Sequence, residues 1–332
     1  MTPPWGPGAA TGIGSLPGTD PLEAARVVLG ELAVPHLPEL PARGPHADLA
    51  GRGLALLVDL HADLQPSGWR FVPRPGRDAR LARDLLARDL DALEEAADGA
   101  HPAVLKTQAT GPWTLSTLVE LHRGDRALAD HGAMADLAES LAEGLRRHLA
   151  DLRARFPQTA LVLQLDEPSL PAVLAARIPT ASGFATLRAP DRQTARDRLR
   201  TVIGVHDGTV AVHCCAPSPP VELLLEAGAT ALSLDAAVLT PRDDDLLGEA
   251  VDRGVPVLLG LVPGTDADLS DLDARLAPVK RLWHRLGLDP ALLPQSVVVT
   301  PACGLAGASP SYSRSALAAC TEMGRRLTEA PE

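Results

Sequence analysis

Eight apolar runs rich in β-formers recur along the chain, and each gives way to a segment whose apolar positions return at helical spacing. The runs fall at Ala9–Ser15, Leu32–Leu40, Ala103–Thr110, Thr159–Asp166, Thr209–Cys215, Ala229–Asp235, Val255–Leu261 and Gln295–Pro301. Helical spacing follows over Pro21–Glu31, Ala47–Asp63 and Ala79–Ala97, then over Thr114–His122, Ala129–Phe156, Leu170–Arg177 and Pro190–Val205. The last four runs precede helices over Pro219–Ala227, Asp243–Arg253, Leu269–Leu286 and Ser311–Thr328. Pro66–Arg77, rich in Pro and Gly, reads as irregular, and Ala181–Leu187 fits either a loop or one more strand.

Near-continuous apolar strands alternating with helices specify a parallel sheet covered on both faces. Eight strand–helix units are the number that closes a (β/α)₈ TIM barrel, an α/β fold. A doubly wound sheet of nine strands is the alternative if Ala181–Leu187 is a strand. No internal repeat and no linker divides the sequence, so residues 1–332 read as a single domain.

Composition narrows the class of partner. The chain has 332 residues, 45% hydrophobic and 22% charged, the profile of a folded protein. Aromatics make up only 2%, so the core rests on Leu, Val and Ala, and a stacking platform for nucleic-acid bases is not expected. The net charge is −11, and Lys106 and Lys280 are the lysines; a small molecule is the expected partner, not a phosphate backbone. No run reaches the roughly 18 apolar residues of a membrane span, and Met1–Gly8 carries neither a basic leader nor an apolar stretch, which predicts a cytoplasmic protein. Four cysteines in such a chain are thiols, not a disulfide framework.

Candidate chemistry gathers where the predicted strands end. Ser15, Glu39, Asp166, His213, Cys215, Asp235 and Cys303 all stand at or just past carboxyl ends of strands, the rim that carries the active site in such barrels. Alternation along Val210–Cys215 turns His213 and Cys215 to one side and Cys214 to the other. Cys303, from the last strand, can converge with them. One imidazole and two thiolates make a donor set for zinc, Zn²⁺, whereas Cys214 and Cys320 fit ordinary core packing. A metal held this way can bind a substrate thiol and keep it as a thiolate, which suits alkyl transfer better than water activation.

Ile13-Gly14-Ser15, Thr110-Gly111-Pro112-Trp113, Gln164-Leu165-Asp166-Glu167-Pro168, His213-Cys214-Cys215 and Pro301-Ala302-Cys303-Gly304-Leu305 occur in this order. From Thr11 to about Leu305 the chain resembles the catalytic domain of cobalamin-independent methionine synthase. That resemblance implies a zinc-dependent methyltransferase that converts homocysteine to methionine. It implies His213, Cys215 and Cys303 as metal ligands, and Ile13, Gly14 and Ser15 as the segment receiving the amino acid's carboxylate. Asp166 would hold the α-ammonium, with Glu39 as a second carboxylate.

Two departures accompany the resemblance. The family's carboxylate ligand is Glu, whereas the matching strand here ends in Asp235, shorter by one methylene. Asp235 either ligates the metal or takes a strand-end, helix-capping role. The chain also has room only for the catalytic domain of the full-size enzyme, so the methyl donor is either methyltetrahydrofolate or a methylated corrinoid protein. Trp113 is the candidate to stack on a flat donor, against ordinary core packing. Alkyl transfer to another thiol such as coenzyme M, or a non-catalytic zinc- or thiol-binding barrel, are the alternative readings.

Overall fold

The computed structural model describes residues 3–98 and 101–331. In chain order its strands are β1 (His61–Gln65), β2 (Gly68–Val72), β3 (Val104–Thr110), β4 (Val119–Glu120), β5 (Ala160–Asp166), β6 (Thr209–Cys214), β7 (Ala231–Asp235), β8 (Val257–Val262) and β9 (Val297–Pro301). Strands β3, β5, β6, β7, β8 and β9 form one parallel six-stranded sheet in that order.

Two irregular staves, residues 9–15 and 34–39, close the sheet on itself. Single parallel bridges join Ala10 to Val299, Ser15 to Glu39, and His36 to Lys106. The hydrogen bonds run Thr11 N to Val299 O at 3.1 Å, Leu16 N to Glu39 O at 2.9 Å and Leu37 N to Lys106 O at 2.9 Å. Pro35 and Pro38 lack the N–H a regular ladder needs, so these staves touch their neighbours at points rather than along a ladder. The result is the α/β TIM barrel that the eight apolar runs predict.

The two-residue period of the strands sorts the barrel interior into layers. At the amino-terminal end, Ala9, Val34, Val104, Val162, Ala211, Ala231, Leu258 and Val298, one from each stave, pack into an apolar plug. Two residues further along the same staves come Thr11, His36, Lys106, Gln164, His213, Ser233, Gly260 and Thr300, all buried. The next step reaches Gln108, Asp166, Cys215 and Asp235 at the carboxyl rim. Polar chemistry is thus carried on an apolar floor, and the side chains facing the other way bury themselves under the helices.

The helices α1 (Pro21–Glu31), α2 (Leu49–Ala55), α3 (Arg77–Ala96), α4 (Pro112–Leu118), α5 (His131–Arg155), α6 (Leu170–Leu174), α7 (Arg192–Ile203), α8 (Val221–Ala227), α9 (Pro241–Asp252), α10 (Leu272–Arg285), α11 (Leu293–Ser296) and α12 (Pro310–Glu329) follow or precede these staves. Their starts are written locally: Asp20, Asp48, Asp130, Asp191, Asp271 and Ser309 each accept from a first-turn backbone N–H. No helix among the described residues is long and apolar enough to cross a membrane. Met1 and Thr2, part of the stretch read for a leader, lie outside the described residues.

The structure departs from two expectations and decides a third: Ala47–Asp63 is not one helix, part of the Pro66–Arg77 stretch expected to be irregular is the strand β2, and Ala181–Leu187 takes the loop alternative. The helical pattern over Ala47–Asp63 yields only α2, and residues 61–72 form an antiparallel hairpin with His61 opposite Val72 and Gln65 opposite Gly68. Its turn at Pro66-Ser67 leaves room for no helix, and β2 then pairs with β4 on the barrel's flank. Ala181–Leu187 is a turn held by one bridge, Pro179 to Thr186, and does not join the sheet.

Candidate metal centre and its neighbouring acidic pocket

His213 lies near the end of β6, Cys215 one residue past it, and Cys303 in the loop after β9. Their ligand atoms lie within 4.8 Å of one another, and the sulfurs of Cys215 and Cys303 are 3.4 Å apart. A tetrahedral ion with bonds of about 2.0–2.3 Å places its ligand atoms roughly 3.5–3.8 Å apart. The separation of the two sulfurs is close to that spacing, and the imidazole lies near enough to converge on the same ion.

The imidazole is already aimed. Its Nδ1 is 2.9 Å from Ser233 Oγ, while Nε2 is buried without a protein hydrogen-bond partner. Leaving a buried ring nitrogen unpaired is unfavourable by about 1–3 kcal/mol, which an ion accepting its lone pair would offset. The serine fixes the ring through its other nitrogen, as metal-bound histidines are usually fixed. Cys303 is drawn down to about 4, first by the Cys215 thiol donating to it and next by His213. Cys215 moves up through the same shared proton and through burial. Two thiols with one proton between them are half prepared as a dithiolate donor set. Cys214 points away, is fully buried and is pushed up to about 12 by that burial.

Asp235 stands at the end of the neighbouring strand β7, outside the group of three. Its Oδ1 accepts from Ala237 N at 2.9 Å, capping a short turn of helix over Ala236–Val238. Burial raises its pKa, and the Cys303 charge adds to that shift.

Beside the thiols lie two buried carboxylates, Asp166 and Glu39. Asp166, at the end of β5, faces His213 across the β5–β6 ladder. Burial pushes it up to about 7, a shift opposed by His213 and reinforced by Glu39. Gln164 Nε2 donates to Asp166 Oδ1 at 2.7 Å and to Ile13 O at 2.9 Å. Lys106, wholly buried, donates to Ile13 O and to Gln164 Oε1, each at 2.8 Å. Glu39 is held from the other side by Gln108 Nε2 at 3.1 Å and Arg52 Nε at 3.2 Å. Arg52 also pairs with Asp89, which Arg43 grips at 2.7 Å.

Ile13, Gly14, Ser15, Glu39 and Asp166 are therefore neighbours: Ser15 bridges to Glu39, Glu39 N donates to Gly14 O, and Gln164 joins Ile13 O to Asp166. The metal-ligand loop borders them as well: Leu305 N donates to Ser15 O at 2.8 Å, and a Cβ on Gly304 would come within 2.0 Å of Ser15 Oγ. Sequence reading did not single out Lys106, Gln108 or Arg52. The signal for the first two was present, as a charge and an amide at alternate positions of a strand expected to be buried.

Glu167 ties two motifs together. Its carboxylate accepts from Trp113 N at 2.9 Å, Thr114 N at 2.7 Å and Thr114 Oγ1 at 2.8 Å, capping α4 from a neighbouring stave. Gly111 permits the approach, since a Cβ there would lie 2.4 Å from Glu167 Oε1. Trp113 is 1% exposed and its indole N–H donates to Ala195 O at 3.1 Å. It lines a cavity of about 540 Å³ with Leu128, Met134 and Leu187.

Comparison with known proteins gives a family and a fold. The profile of the family described as "Cobalamin-independent synthase, Catalytic domain" matches residues 8–326. No curated protein matches the sequence. Among solved structures, a B12-independent methionine synthase from Shewanella sp. W3-18-1 in complex with selenomethionine aligns with a TM-score of 0.60 over 98% of each chain, at 13% identity. At that identity the likeness is one of fold.

Proposed function

The chain belongs to the family of cobalamin-independent synthase catalytic domains, and from that premise we propose that it is a zinc-dependent methyltransferase that moves a methyl group to the thiol of homocysteine, forming methionine. The observation that carries this reading is adjacency: a thiophilic donor set, His213, Cys215 and Cys303, stands beside two buried carboxylates, Asp166, which faces His213 across the ladder, and Glu39. An amino acid bearing a thiol has the matching groups, a soft sulfur at one end and an ammonium at the other.

His213, Cys215 and Cys303 would hold the metal, and Asp235 would complete or support the set. Zinc bound there would supply a Lewis acid that lowers the acceptor thiol's pKa from about 8.5 and keeps a thiolate available at neutral pH. Asp166 and Glu39 receive the α-ammonium, whose charge offsets burying two acids together. The Ile13-Gly14-Ser15 segment receives the carboxylate. With both ends of the acceptor fixed, its sulfur is left facing the rim. The thiol proton leaves to solvent, the sulfur lone pair forms the S–CH₃ bond, and the donor departs with the electron pair of the bond that breaks.

Methyltetrahydrofolate or a methylated corrinoid protein would supply the methyl group, with the barrel acting as one catalytic unit; Trp113, buried with its indole N–H on Ala195 O, takes the core-packing role and not the stacking one. Purified, zinc-loaded protein is offered homocysteine with methyltetrahydrofolate, its polyglutamate or methylcobalamin, and methionine is measured. Methionine formed with any donor supports the reading; none with all three contradicts it.

A further inference from the structure

Lys106 is the one lysine of the barrel interior, 0% exposed, in a layer whose other members are hydroxyls, an amide, imidazoles and Gly260. Burying an ammonium is costly unless its donors are used. Two of its three protons are accounted for by Ile13 O and Gln164 Oε1. Burial lowers its pKa while Asp166 and Glu39 pull the other way, and both groups it meets at 2.8 Å are acceptors, the partners an ammonium requires.

The consequence lies in the amide it touches. An ammonium only donates, so the Gln164 side chain must turn its oxygen toward Lys106 and its NH₂ away. That NH₂ then spends its two protons on Ile13 O and Asp166 Oδ1. A glutamine able to flip would present either an acceptor or a donor to Asp166; this one can only donate. Among the described residues Gln164 is the hydrogen-bond donor to Asp166, and it occupies Oδ1. The second carboxylate oxygen remains for a cation.

We infer that Lys106 is a positioning residue: by locking the Gln164 amide it holds Asp166 as an acceptor aimed at the ammonium of an amino-acid substrate. Lys106 does not touch that substrate. It also anchors the carbonyl of Ile13, so one buried charge fixes both walls of the pocket. This deepens the assignment of homocysteine above and rests on it.

The test compares homocysteine with 4-mercaptobutyrate, which has the same thiol and carboxylate but no ammonium. Calorimetric titration of zinc-loaded wild type, Lys106→Met and Gln164→Met gives the ratio of the two affinities. Wild type should favour homocysteine, and Lys106→Met should lose about tenfold of that preference, the size of one charge-assisted hydrogen bond. Gln164→Met keeps the length of the native side chain and adds no charge, but it cannot donate to Asp166. It should show the same loss, and it decides the matter if Lys106→Met fails to fold. Equal weakening of both ligands, or an unchanged ratio in Gln164→Met, overturns the inference. Wild type that binds homocysteine no better than 4-mercaptobutyrate overturns the homocysteine reading itself, and this inference with it.

Discussion

Gly304 stands against Ser15 so closely that a single added Cβ would come within 2.0 Å of the serine hydroxyl. Gly304 follows the candidate ligand Cys303, and Ser15 ends the segment assigned to the substrate carboxylate. The contact therefore joins the two halves of the site. Gly304→Ala should keep zinc but weaken homocysteine binding by about tenfold or more, because Ser15 must shift by a substantial part of an ångström. Crowding should also lower stability by about 1–3 kcal/mol. Metal analysis, calorimetry and chemical denaturation check the three effects; unchanged homocysteine affinity would remove Ser15 from the pocket.

Asp166→Asn separates acceptor binding from metal binding. Asp166 is not among the three clustered ligands, so zinc content should stay at the wild-type level. Homocysteine affinity should fall by roughly tenfold to a hundredfold, the range for losing a hydrogen bond to a charged group. Wild-type affinity in this variant would assign the ammonium to Glu39 alone.

Metal-free protein should show one fast cysteine. With Cys303 titrating near about 4, its thiolate is present throughout the neutral range and is lost only as the pH falls through that value. Cys215 is shifted upward, and Cys214 and Cys320 are buried. Alkylation with iodoacetamide at pH 6, followed by peptide mass spectrometry, should label Cys303 first, and zinc should protect it. Equal labelling of Cys215 and Cys303 at pH 6 would contradict the shared-proton arrangement.

How much of this was legible in the sequence follows from the range of the forces involved. The eight staves announce themselves because each buries both faces, and that leaves long apolar runs. The convergence of His213, Cys215 and Cys303 follows from strand alternation plus barrel closure, although 88 residues separate the two cysteines. The hairpin at residues 61–72 was hidden because it is half solvated: His61, Asp63 and Gln65 interrupt its apolar positions, and Ala47–Asp63 mimics helical spacing.

The partners of Lys106 were hidden for a different reason. Its amide partner, Gln164, lies on the next stave, and the barrel register sets Lys106 beside Val162 and Gln108 beside Gln164. Only side-chain reach in three dimensions pairs the lysine with the amide. Asp235 was legible as a rim residue, but its hydrogen bond to Ala237 N depends on a local turn that no spacing rule specifies.

The central claim is that the metal centre is open to a substrate sulfur. Zinc-edge X-ray absorption of the zinc-loaded protein, with and without homocysteine, tests it most directly. Two sulfur neighbours, Cys215 and Cys303, should become three when homocysteine is added. A sulfur count that stays the same at saturating homocysteine would contradict it.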